Sequence, residues 1–240
     1  MAFGRQVAEV CGLYEQAGRL AEQGVHLVST DEKTGMQALE RLHPDMPMGP
    51  GRVQRREYEY QRHGTLCLTA NLEVWCGWVI APTLGPTRTE ADFLAHLHQT
   101  VATDPQAGWV FVVDNLNTHQ SESLVVWVAQ ACGLEQDLGV KGQNGVLKSQ
   151  ASRAAFLSDQ GHRIRLVYTP KHTSWLNQVE IWFSILVRKL LRLKWTPLSR
   201  PKSCHPSLRR EDNSVIPFLP AFSRPVPQAF FFAPHGLHAG

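Results

Sequence analysis

The run Trp109-Val-Phe-Val-Val-Asp114-Asn115-Leu-Asn-Thr-His119 marks both the course of a strand and the point where it ends. Five apolar residues run straight into an aspartate, and polar residues then prevail to His119. A short apolar run bounded by turn formers reads as a buried strand of a parallel sheet. Ligands of open α/β sheets gather outside the carboxyl ends of such strands, which is where Asp114 falls. A carboxylate at that boundary is costly unless something pairs with it or binds it. Asp114 therefore calls for partners elsewhere in the chain.

One candidate repeats the pattern. Val25-His-Leu-Val-Ser-Thr-Asp31 has the β-branched content of a strand and also closes on an aspartate, with Glu32 and Lys33 marking an abrupt polar switch. Between the two stretches the reading is coarser. A helix is expected over 5–22, ended by Gly24, and the proline-rich stretch 43–51 reads as loop. Thr65–Asn71 and Val74–Pro82 read as an antiparallel hairpin turning near Asn71–Glu73. Thr87-Arg-Thr-Glu90 fits a capping box for a helix to about Thr103. His96 and His98, two apart, fall on different faces of that helix and are not expected to share a metal.

After the opening stretch, Ser121 can cap a helix over 124–132, and the Gly-rich run 133–149 reads as a surface excursion. Its Gly139–Gly145 portion lacks the Gly-Lys-Ser/Thr ending of a phosphate-binding loop. A short helix at 150–158 and a strand at Ile164–Tyr168 come next. The loop Thr169–Ser174 leads into a helix from about Trp175 to Lys194.

Composition bounds what such a chain can be. The 240 residues suffice for one ordinary domain plus an appendage. No apolar run is long enough to span a bilayer, and the N-terminus lacks the parts of a signal peptide. The five cysteines form no CxxC pair and read as buried free thiols of a reducing cytoplasm. The net charge of +3 is uneven: residues 1–160 carry 12 Lys+Arg against 18 Asp+Glu, whereas 161–194 carry 7 against 1. That segment is either a surface for an anionic polymer or a merely solvated basic face. The last 46 residues hold 8 of the 15 prolines and show no helical or strand period. Disorder or poorly packed coil is expected there.

Glu180 is the one acid of the helix 175–194. At 100° per residue, Trp175, Leu176, Val179, Trp182, Phe183, Leu186, Leu190 and Leu193 share a broad apolar face. Asn177, Glu180, Ser184 and Arg188 fall on a polar stripe. Glu180 is thus a carboxylate on a firmly anchored helix, as a metal ligand should be, or else a solvent-facing Glu of an amphipathic helix. Asp31, Asp114 and Glu180 together make an all-oxygen Mg²⁺ site, because Mg²⁺ takes carboxylates, waters and substrate phosphates. Two such ions about 4 Å apart can activate an attacking oxygen and stabilise a leaving one in phosphoryl transfer.

Three blocks resemble a known family. They are Ser-Thr-Asp31-Glu-Lys-Thr-Gly, Val-Val-Asp114-Asn-Leu-Asn-Thr-His119 and Tyr-Thr-Pro-Lys-His-Thr-Ser-Trp-Leu-Asn-Gln-Val-Glu180-Ile-Trp-Phe. Over residues 10–194 the chain resembles bacterial insertion-sequence transposases related to mariner. The resemblance implies an α/β fold: a ribonuclease H-like mixed sheet flanked by helices, with the first and fourth strands adjacent and parallel, followed by an irregular C-terminal tail. It implies a catalytic and metal-binding triad of Asp31, Asp114 and Glu180 with two Mg²⁺, replaceable by Mn²⁺. Water would cut the transposon-end strand and the freed 3′-hydroxyl would attack target DNA. Asn115, His119, Lys171, His172 and Asn177 match family positions with second-shell or DNA-phosphate roles; for His119 a plain loop or capping role is the alternative. Arg188, Lys189 and Arg192 are expected to contact phosphates. The implied partners are transposon-end and target DNA and a second copy of the chain as a homodimer, with no membrane, in the cytoplasm and at the nucleoid.

The expected layout is an N-terminal helix and lead-in over 1–24, a catalytic domain over 25–194 with an insertion at about 133–160, and a proline-rich tail over 195–240. The chain departs from the family pattern in three ways. Asp114 and Glu180 are 66 positions apart (180 − 114), longer than is usual in mariner relatives. An upstream helix-turn-helix is expected to be missing, and the change after Lys194 reads as a truncation or frameshift. Two other readings stay open: a non-catalytic DNA-binding remnant, and another ribonuclease H-like endonuclease.

Overall fold

The computed structural model describes residues 2–44, 46–55 and 59–191. Its elements are α1 (Ala2–Glu15), α2 (Ala17–Glu22), β1 (Val25–Arg41), β2 (Tyr60–Glu73), β3 (Val79–Gly85), α3 (Glu90–Val101), β4 (Gly108–Val113), α4 (Glu122–Ala131), α5 (Gln150–Leu157), β5 (Ile164–Tyr168) and α6 (Val179–Leu186). The strands form one sheet in the order β3-β2-β1-β4-β5. β1 pairs parallel to β4, β4 parallel to β5, and the β1–β2 and β2–β3 pairs are antiparallel. This is a mixed sheet with the first and fourth strands adjacent and parallel, as the family resemblance implies.

β4 is central and covered on both faces, which is why its sequence is unbroken apolar rather than alternating. Trp109, Phe111 and Val113 join Val28 beneath Phe93 and Leu97 of α3, Leu124 and Val128 of α4, and Leu157 of α5. Val110 and Val112 join Leu27 and Val167 on the other face, beneath Val10 of α1 and Ala17 of α2. A third cluster places Val179 and Phe183 of α6 against Leu68 and Ala70 of β2.

Several expectations change. The N-terminal helix breaks at Gln16 into α1 and α2. β1 runs ten residues past Asp31, and its outer half pairs with Tyr60–Leu66 as an exposed two-stranded ribbon. Since β4 pairs with Val25–Ser29 and β3 with Cys67–Leu72, no described strand flanks that ribbon, and Met36 packs on the α6 cluster. With so little of either face buried it carries no alternation to read. The helix before β4 is capped by Thr89, reciprocally with Asp92, rather than by Thr87. Glu90 accepts from the Ser123 hydroxyl and so ties α3 to α4. The stretch 133–160 is not a free excursion, because Leu147, Phe156 and Leu157 are buried in the main core. Of the cysteines in the described residues only Cys67 is buried. Among the described residues no helix is long and apolar enough to cross a membrane. The tail 195–240 lies outside the described residues.

His96 of α3 has no exposed surface, faces Thr83 Oγ1 across 2.9 Å through Nδ1, and leaves Nε2 without a partner. Burial pushes its pKa down to about 3 from 6.5. The folded protein therefore keeps His96 neutral where the unfolded chain protonates it. Stability from this source is complete above pH 6.5 and is lost as pH falls towards 3. His96→Leu removes the titration, so urea unfolding at pH 7 and pH 4 should show a smaller acid loss in the variant. The difference should be on the order of a few kcal/mol. Parallel pH profiles for the two proteins would contradict this.

Candidate active site

The β1–β4 pairing places two aspartates level with each other. Val25 opposes Gly108 and Ser29 opposes Val112, a constant offset of 83 (108 − 25 and 112 − 29). The same offset carries Asp31 onto Asp114 (114 − 31), where both strands leave the core. Alternation along β1 and β4 puts Asp31 and Asp114 on the Leu27, Val110 and Val112 face. Glu32 falls on the opposite face, which α3 covers.

Glu180 enters from α6. The turn before that helix is pinned to β1 by Asn177, which is 1% exposed. Its Nδ2 donates to Thr30 O at 2.9 Å and to Asp31 Oδ2 at 3.3 Å, and its Oδ1 accepts from the Ser29 hydroxyl. Ser29 Oγ in turn accepts from Val179 N at 2.9 Å, fixing the first turn of α6. Tyr14 of α1 donates to Leu176 O at 2.7 Å and secures the same turn from outside. Asn177 therefore does not share a solvent stripe with Glu180 and Arg188, because the chain before Val179 turns as a 3₁₀ segment rather than as α-helix. Trp175, expected on the apolar face, is exposed for the same reason.

Electrostatics separate the two aspartates. Burial pushes the Asp31 carboxyl up to about 7; a bond from Glu32 N opposes this, and the charges of Asp114, Glu32 and Glu180 add to it. Burial also raises Asp114, but a bond and charge from His119, with Leu116 N and the Arg88 charge, outweigh it and hold the group below its ordinary value. His119 Nδ1 lies 2.8 Å from Asp114 Oδ1, and its Nε2 lies 3.1 Å from Glu32 Oε1. Its ring packs on Phe93 at 4.0 Å between centroids and has no exposed surface. Burial alone would strip its proton, yet the two carboxylates win and raise it to about 9. The loop alternative for His119 gives way to a buried ring clamped between two acids.

The other expected residues divide. Asn115 donates to Thr169 O, joining the ends of β4 and β5. Lys171 and His172 are exposed on the loop after β5, His172 with φ of 63°. Arg188 and Lys189 are exposed beyond α6. Arg192 lies outside the described residues. The basic segment is not one surface, since Arg163 donates to Ala107 O and Ala131 O at the far end of the sheet. Among the described residues no three His, Cys, Asp or Glu side chains are drawn together tightly enough to hold a metal ion. Asp114 and Glu180 nevertheless each lie near enough to Asp31 for their charges to act on it. Ser29, Glu32 and Arg88 were not singled out from the sequence; only the acid doublet Asp31-Glu32 could have drawn attention to one of them.

Comparison with known proteins gives one family. Residues 26–199, most of the chain, match the family described as DDE superfamily endonuclease. No curated protein matches. Among solved structures, the Mos1 mariner paired-end complex with Mn is 16% identical, with a TM-score of 0.34 over 76% of this chain and 54% of its own. The Mos1 transposase paired-end complex with the left transposon end is 14% identical, with a TM-score of 0.33 over 75% and 55%. The chain thus spans about half the length of these solved transposases.

Proposed function

We propose that this chain, which belongs to the DDE superfamily endonuclease family, carries residues 25–194 as the catalytic domain of a cut-and-paste DNA transposase. The observation that carries the reading is the β1–β4 register, which ends with Ser29 opposite Val112 and, continued two residues, sets Asp31 level with Asp114 just beyond β4, while the Asn177 turn ties the start of α6, which carries Glu180, to β1. These three carboxylates would hold two Mg²⁺ or Mn²⁺ ions, and their hard oxygen donors suit both. The ions would supply activation of an attacking oxygen and charge neutralisation at a leaving one.

The chain's own residues do the positioning. His119 and Leu116 N both donate to Asp114 Oδ1, so Oδ2 would be the oxygen offered to a metal ion. Asn177 and Glu32 N hold Asp31. Water attacks the phosphodiester at the transposon end, and the released 3′-hydroxyl then attacks target DNA, with no covalent enzyme intermediate. DNA and a second copy of the chain are the partners in this reading, in the cytoplasm at the nucleoid. The experiment is nicking of DNA by the full chain with Mg²⁺ or Mn²⁺, beside Asp114→Asn.

Lys171, Arg188, Lys189 and Arg192 supply phosphate contacts, with His172 beside them. DNA affinity should fall steeply between about 50 and 200 mM salt. Joint replacement of Arg188 and Lys189 by Ala should lower the logarithmic salt slope by about 2. An unchanged slope in a fluorescence-anisotropy titration would remove these two residues from the interface.

A further inference from the structure

Glu32 is the buried acid that this mechanism does not use. Its side chain is 5% exposed, and it spends one oxygen on His119 Nε2 at 3.1 Å while Oε2 has no hydrogen-bond partner. A carboxylate in that state is expensive to keep. An apolar residue would fill the place under α3 at lower cost, so its chemistry has to serve something within reach, and among the described residues its one side-chain hydrogen-bond partner is the imidazole. That imidazole touches Asp114 Oδ1 with its other nitrogen at 2.8 Å. Leu116 N donates to the same oxygen at 3.0 Å, so both restraints leave Asp114 Oδ2 free. The three side chains connect across the carboxyl end of the β1–β4 pair, from the face under α3 to the face that carries Asp31.

We infer that Glu32 is a positioning residue for the carboxylate site, acting through His119 to fix the rotamer of Asp114. The inference rests on the reading of Asp114 as a metal ligand. The ring meets Asp114 through Nδ1 alone, at Oδ1 (2.8 Å) and at the backbone O (3.3 Å), while Phe93 packs on its face. The contact at Nε2 holds the opposite side of the ring and so keeps Nδ1 on the carboxylate oxygen in preference to the carbonyl. Outer-shell partners of metal ligands typically contribute 10–100-fold to metal affinity.

The test measures Mn²⁺ binding to the full chain by calorimetry, with thermal unfolding of each protein alongside. Unmodified protein should bind Mn²⁺, and Asp114→Asn should lose binding. Glu32→Ala should weaken binding about 10-fold or more. Glu32→Asp, equal in charge but too short to reach Nε2, should weaken it similarly and serves if the Ala variant fails to fold. Glu32→Gln, which keeps an oxygen facing Nε2, should restore most of the affinity. Glu32→Ala should add no further loss to His119→Gln, because both cut the same connection. If Asp114→Asn loses binding while Glu32→Ala and Glu32→Asp bind as the unmodified protein does, Glu32 is only a structural residue and the inference is overturned. If the unmodified protein binds no Mn²⁺, or Asp114→Asn binds it equally, the carboxylate-site reading itself fails and the inference goes with it.

Discussion

Asp114→Asn should abolish metal-dependent nicking of DNA, lowering the rate by on the order of a thousandfold, or about 4 kcal/mol at 1.36 kcal/mol per factor of ten. The substitution is nearly isosteric. The amide oxygen can still accept from Leu116 N, which now reaches Oδ1 at 3.0 Å. What disappears is a full negative charge in a group that His119, Leu116 N and Arg88 hold ionised. His119 keeps its second carboxylate, Glu32, at 3.1 Å, so the buried ring is not orphaned and the variant should still unfold in a single cooperative transition. Loss of activity with retained folding is the signature of a ligand rather than a scaffold residue. The assay is conversion of supercoiled plasmid to nicked circle with Mg²⁺ or Mn²⁺, and equal nicking by the variant would sink the three-carboxylate assignment. The same variant separates the catalytic reading from a DNA-binding remnant, for which neither protein nicks while both still bind DNA.

The second large effect is expected at Asn177. Replacing it with Ala removes donors to Thr30 O and Asp31 Oδ2 and the acceptor of the Ser29 hydroxyl. All of this happens at a position that is 1% exposed, so water cannot easily replace the lost bonds. A buried polar group left without a partner costs about 1–3 kcal/mol. Two groups are stranded here, the Thr30 carbonyl and the Ser29 hydroxyl proton, so a stability loss of about 3 kcal/mol is expected in urea unfolding. Nicking should fall further than the unfolded fraction accounts for, because the anchor lies three residues before Glu180 and bonds to Asp31. Activity measured at a temperature where the variant remains folded separates the two losses. A stability change within about 0.5 kcal/mol, typical of an uncritical surface site, would show that Asn177 does not carry the junction.

These two residues illustrate what could be read in advance. Asp114 stood out because β4 is buried on both faces, so its apolar run ends sharply and the first charge marks the strand's end. Asn177 matches a family position with a second-shell or DNA-phosphate role, yet helical projection set it on the polar stripe with Glu180, whereas it is buried against β1. Helical projection assumes that the 3.6-residue period already runs through residue 177, whereas the described α-helix starts at Val179. Glu32 escaped for a related reason. It looks like the first solvated residue after a strand, and nothing in one dimension reveals that β1 continues or that α3 closes over that face.

Part of the local structure was legible in one dimension: β4 and the inner half of β1, the carboxylate at which each apolar run stops, and the helix that carries Glu180. Those follow from hydrophobic period and from the cost of burying charge, both of which act over a few residues. Only the tertiary structure decided the relations between them. The offset of 83 that sets Asp31 beside Asp114 is a property of the β1–β4 pairing, and the Glu32–His119–Asp114 line joins residues 87 positions apart in sequence. Such contacts form because each face of β4 fits its own cover: Trp109 and Phe111 lie beneath α3 and α4, Val110 and Val112 beneath α1 and α2, and a shift of one residue would exchange the two sets. The opening stretch Trp109–His119 thus marks one end of the site. Its meaning as a site comes from the elements that the fold brings to it.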